Sequence, residues 1–127
     1  MDVIRFALLG LGAGAIYALM GQGIVLVYRG SGVVNFAHGA YGMIGAYCFY
    51  LWREDGMTTP LALALALGLG AVMGAGTHLL VMRPLRHAPA LSRLIATLGL
   101  LTLGLAFGLQ RWGDSPRILA KLLPVTA

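Results

Sequence analysis

Two polar side chains with chemical capacity stand three residues apart in an otherwise apolar stretch: Asn35 and His38 in GVVNFAHGAYGMIGAY, residues 32–47. Asparagine both accepts and donates hydrogen bonds, and histidine can carry a proton, ligate a metal or bond a polar solute. Most of those chemistries need partners. His38, His78 and His87 lie far apart in sequence with no neighbouring cysteine and no carboxylate beside them, so no metal centre is indicated. The acids, Asp2, Glu54, Asp55 and Asp114, sit at breaks between apolar runs, and no Ser-His-Asp arrangement can be drawn from them. No catalytic residue is therefore expected. GLGAGA, residues 10–15, satisfies G-x-G-x-x-A, but a dinucleotide fold needs an acid about 20 residues on. Here the next acid after Asp2 is Glu54. Lys121 is the sole lysine, so a G-x-x-x-x-G-K phosphate loop is absent. No cofactor is expected, and any ATP used would be bound by another chain.

What remains for Asn35 and His38 is local structure or a place beside a solute. Asn35 suits an N-cap, its side-chain oxygen accepting from the backbone N–H of residue 37 or 38. A helix is then predicted from Asn35, after the glycine-broken connection 29–32, with His38 in its first turn. If Asn35 lies below the membrane surface, the segment is a broken or half-inserted helix. Such breaks are tolerated against protein or a water-filled cavity, and transporters place substrate sites at helix ends of this kind. The plainer reading is a loop-to-helix start with His38 at the lipid–water boundary. The candidate pathway residues are Asn35, His38 and Gly39.

The elements that must position these residues are membrane helices. The 127-residue chain is 59% hydrophobic and 10% charged, against roughly 25% charged in an average soluble domain. Mean hydropathy is +0.86. Runs 6–28, 30–52 and 56–82 contain no Asp, Glu, Lys or Arg, and 94–110 is a shorter fourth. A helix crosses the hydrocarbon core with about 20 apolar residues. The predicted fold is an all-α membrane protein with about four transmembrane or partly inserted helices, near 4–28, 35–52, 60–82 and 93–110. A polar, mildly amphipathic tail follows over 111–127. PLALALALGLG, 60–70, alternates, but between two apolar helix formers, so a helix is expected there too. Small residues recur at close-packing spacing: Gly10, Gly14 and Ala18; Gly42 and Gly45; Gly70 and Gly74; Gly104 and Gly108. The net charge of +5 is clustered at helix ends and draws no continuous basic face, which argues against nucleic-acid binding. The acid-free group Arg83, Arg86 and Arg93 marks the 83–93 loop as cytoplasmic and puts the N-terminus outside. Cys48 is the sole cysteine, so no disulfide can form within the chain.

Residues 10–47 resemble the N-terminal signature of branched-chain amino acid ABC transporter permeases. The matching elements are Ile16-Tyr17-Ala18-Leu19, Val27-Tyr28, Asn35-Phe36-Ala37-His38-Gly39 and Met43-Ile44-Gly45-Ala46. RPLR at 83–86, LIATLGL at 94–100 and the WGDSPR region at 112–117 continue the likeness over nearly the whole chain. The resemblance implies an all-helical permease subunit in the bacterial inner membrane, paired with a second permease subunit. Two cytoplasmic ATPase subunits would drive it, and a periplasmic binding protein would deliver branched-chain amino acids or related amides. Family members are longer, so 1–127 is expected to be the N-terminal part of one permease domain, an incomplete bundle without the later coupling loop. Two other readings stand beside this one: a small structural or assembly membrane protein with no transport path, and a permease for another small solute.

Overall fold

The computed structural model describes residues 2–114. Four α-helices follow one another: α1 (Asp2–Ser31), α2 (His38–Glu54), α3 (Thr59–Thr77) and α4 (Ala90–Trp112). One π-helical turn, His78–Met82, prolongs α3, and a 3-10 turn, Pro84–His87, leads toward α4. Among the described residues there is no strand, and the membrane-type, all-helical architecture expected from composition is what is observed. Three stretches are long and apolar enough to cross a bilayer: Asp2–Ser31, Thr59–Met82 and Ala90–Trp112. The 17 residues of α2 reach about 25 Å at ~1.5 Å per residue, short of a hydrocarbon core about 30 Å thick.

α2 lies against both α3 and α4 and forms the centre of the packing. Its Ala40 and Ile44 are buried, together with Val33, Ala37, Ala62, Thr97 and Gly108. Most of these are small, as expected where helices associate in lipid through close backbone approach. A β-carbon at Gly104 would stand 2.6 Å from Cβ of Ala40, and one at Gly108 would strike the terminal methyl of Met43. The G-x-x-x-G at 104–108 is therefore a tight crossing of α4 on α2. Further along, Tyr47 stacks on Trp112 with ring centroids 4.9 Å apart, and Phe107 meets Trp112 edge-on. These pairs advance together, so α2 and α4 run in the same direction. Tyr41 near the start of α2 meets Thr77 at the end of α3, so those two run antiparallel.

Helix boundaries differ from the sequence reading, most consequentially on either side of the first connection. The first helix does not stop near residue 28: it runs through Arg29 and Gly30 to Ser31. It ends at Gly32, whose φ of +70° is cheap for glycine and costs other L-residues roughly 1–2 kcal/mol. The second helix begins at His38, not Asn35. The far end of α2 closes as a Schellman motif, with Gly56 at φ +86°, Met57 N bonded to Trp52 O and Gly56 N to Arg53 O. α4 continues past 110 to Trp112, and the rest of the predicted tail, from residue 115 on, lies outside the described residues.

Candidate functional site

The stretch 32–37 between α1 and α2 is irregular and partly buried: Val33 is 4% exposed and Ala37 is fully covered, while Gly32 and Phe36 are exposed. Buried backbone must find partners, and two polar side chains supply them. The Ser31 hydroxyl accepts from Val33 N at 3.3 Å and reaches the carbonyl oxygens of Val27 and Val33 at 2.8 and 2.9 Å. Its single proton serves one carbonyl at a time. Asn35 Oδ1 accepts from Ala37 N at 3.0 Å, as its capping chemistry predicts. That bond closes an Asx turn, not the first helical turn, because His38 N bonds back to Asn35 O. The first i to i+4 bond runs from Tyr41 N to Ala37 O. The turn thus displaces the helix start by three residues.

The chain climbs along this stretch. His38 packs on α1 at Gly23, where a β-carbon would meet the imidazole Cε1 at 2.9 Å and Nε2 at 3.0 Å. Gly23 precedes the end of α1 by eight residues, which is about 12 Å along that helix axis. Arg93, near the start of α4, donates to Ser31 O at 3.3 Å and so holds the end of α1. Its cationic head stands where the exposed helix carbonyls favour positive charge. On α4, the partner of Ala40 is Gly104, fourteen residues beyond the helix start at Ala90. By both measures α2 begins well inward from the ends of α1 and α4.

A cleft of about 610 Å³ opens beside His38, between the last third of α1, α2 and α3. Its walls are Val27, His38, Tyr41, Gly42, Gly45, Ala46, Phe49, Leu63, Ala66, Leu67, Gly70 and Gly74. The Tyr41 hydroxyl contacts Thr77 Oγ1, which also donates to Met73 O at 2.9 Å. A mainly apolar wall with an imidazole and a phenol at one end suits a small solute with an aliphatic side chain and a polar head.

The predicted residues divide. His38 lines the cleft, whereas Asn35 braces the turn beneath it and Gly39 is exposed outside it. Gly42, Gly45, Gly70 and Gly74 open the cleft: nothing stands within 4 Å of a β-carbon built at any of them. Gly10, Gly14 and Ala18 lie on a helix with no buried residue, and Gly10 and Gly14 have no neighbour within 4 Å. His78 and His87 are exposed. Sequence reasoning missed Gly23, Tyr41, Thr77 and Arg93. Tyr41 stands three residues after His38, on the same helical face, which was an available signal. Gly23 had none beyond its type.

The fold and this break define an all-helical membrane protein with a short inner helix between long ones. The chain belongs to the family described as the permease component of branched-chain amino acid transport systems, whose model matches residues 6–118. Similar proteins include the high-affinity branched-chain amino acid transport system permease protein LivH of Salmonella typhimurium, 32% identical over 100 residues. That match covers 72% of this chain and 32% of LivH. BraD of Pseudomonas aeruginosa, of the same description, is 34% identical, over 72% of this chain and 33% of BraD. A probable branched-chain amino acid transport permease protein of Methanocaldococcus jannaschii is 34% identical over 85 residues, 65% of this chain and 27% of that protein. The matches thus span about a third or less of these relatives. No solved structure matches the chain.

Proposed function

We propose that this chain forms the N-terminal helices of a permease subunit in an ATP-driven importer of branched-chain amino acids or related amides. The cleft beside His38 is one wall of the translocation path. The observation that carries this reading is the inward start of α2, with His38 seated on Gly23 and facing the cleft. Arginine heads settle at the membrane–water boundary, so Arg29 and Arg93 mark that boundary and His38 lies inward of it. The action is conformational: a delivered solute enters, and closure driven from the cytoplasm switches access from one side to the other. ATP hydrolysis resides on two separate cytoplasmic subunits. A periplasmic binding protein delivers the solute and largely sets its identity, and a second permease subunit completes the path. Gly10, Gly14 and Ala18 offer a close-packing face on α1 to a helix outside the described residues. The end carrying Arg29, Arg83, Arg86 and Arg93 is cytoplasmic and the N-terminus periplasmic, in a bacterial inner membrane.

The test is uptake of radiolabelled leucine by a complete importer carrying Asn35→Leu and His38→Leu together. Uptake should fall by roughly tenfold or more, the scale of lost positioning contacts, while the amount of inserted permease is unchanged. Wild-type uptake would remove His38 from the path.

A further inference from the structure

The π-helical turn and the 3-10 turn after α3 form a basic, amphipathic hollow that the transport reading does not use. Its walls are Leu79, Arg83, Pro84, Arg86 and His87, enclosing about 410 Å³. In a 3-10 turn, side chains three apart eclipse, so Arg83, at the N-cap, and Arg86 fall on one side. Arg86 Nε donates to His87 Nε2 at 2.9 Å, which leaves the terminal guanidinium N–H groups free to turn outward. Leu79, which lines the hollow, is 55% exposed, and Leu80 beside it in the chain is 79% exposed, so the helix end presents apolar surface next to the arginines. Between Asp55 and Asp114 the sequence contains no Asp or Glu, so no nearby carboxylate of this stretch neutralises the two arginines. Arg29 and Arg93 add charge at the same end of the bundle.

We propose that this hollow binds the phosphate of an anionic phospholipid headgroup, with the lipid's acyl chains lying along Leu79 and Leu80. Guanidinium forks match phosphate oxygens bidentately. Basic pockets at the cytoplasmic ends of membrane helices attract anionic lipid. A phosphodiester with a hydrocarbon tail satisfies both parts of the hollow, whereas free phosphate uses the rim alone. The inference needs the helices to lie in a membrane and is independent of the solute carried.

Native mass spectrometry of the purified chain in detergent, with equimolar phosphatidylglycerol and phosphatidylcholine, provides the test. The wild type should retain phosphatidylglycerol in roughly tenfold preference, and the preference should weaken as salt rises. Arg83→Gln with Arg86→Gln should abolish it. Arg83→Lys with Arg86→Lys, which keeps the charge but loses the forks, should weaken it without abolishing it, and Arg111→Gln, at the other end of α4, should leave it intact. Helix content by circular dichroism identifies any misfolded variant, and if the glutamine pair misfolds, the salt titration and the lysine pair decide. Equal retention of both lipids, or a preference that survives the glutamine pair, overturns the proposal. Displacement of the lipid by millimolar inorganic phosphate also overturns it, assigning the rim to a free anion. If the glutamine pair keeps its lipid and instead loses a co-purifying acidic protein, the site belongs to a protein partner and the proposal fails.

Discussion

At the scale of single residues, glycine matters in this chain where something touches it. Gly104 and Gly108 belong to one small-residue motif, yet their neighbours differ in kind. Gly104 faces Ala40, whose β-carbon cannot move without its backbone, while Gly108 faces the end of the flexible Met43 side chain. Replacing glycine by alanine inside a helix gains roughly 0.5–1 kcal/mol from lower chain entropy. Overpacking a tight contact costs about 1–3 kcal/mol. The second effect wins at Gly104, so Gly104→Ala should destabilise the fold by about 1–2 kcal/mol. At Gly108, Met43 can swing aside, and Gly108→Ala should be within about 0.5 kcal/mol of neutral. Thermal unfolding in detergent measures both; equal losses would contradict the distinction. The sequence displayed the motif and its spacing. It could not display which face of α4 meets α2, because Gly10 and Gly14 in α1 and Gly70 and Gly74 in α3 carry the same spacing, yet nothing stands within 4 Å of a β-carbon built at any of them.

At the scale of elements, the informative one is the interruption between α1 and α2. Residue types announced a break over 29–32 and an N-cap at Asn35; the break is present but begins only at Gly32, and Asn35 closes a turn without capping α2. The exact boundaries were not legible. Ser31 folds its hydroxyl back onto Val27 O, which lets α1 run on to the glycine at φ +70°. Asn35 spends its oxygen on a turn, which delays α2 to His38. Propensity cannot separate an Asx turn from an N-cap, since both use the same side-chain oxygen and a backbone N–H two residues on. Asn35→Ala removes this bond from a partly buried turn and should cost about 1 kcal/mol. Asn35→Asp, which keeps the acceptor, should fold closer to wild type. Hydrogen exchange at the Ala37 amide reads the same bond: protection should drop selectively in the alanine variant. Unchanged protection there would mean the turn is held by packing alone.

At the scale of the molecule, the helices form a bundle built on a short central helix. α2 is packed on two sides, while α1 touches the rest mainly through its last third, at Gly23, Val27 and Ser31. Hydropathy runs revealed the number and type of the helices, and arginine placement suggested their direction. Depth was hidden, because it depends on Ala40 meeting Gly104 and His38 meeting Gly23, contacts between residues distant in sequence. Those two contacts are what turn an oddly polar helix start into a candidate lining for a solute path. The central claim is that His38 faces water inside the assembled permease. It is tested most directly by placing His38→Cys in a Cys48→Ala background of the complete importer and measuring its reaction with a small, membrane-impermeant thiol reagent. Leu19→Cys, an exposed position of α1 that does not line the cleft, serves as the comparison. The account predicts that the position-38 thiol reacts, that leucine protects it, and that the position-19 thiol stays inert. A position-38 thiol as unreactive as that at 19, from either side of the membrane, would contradict it.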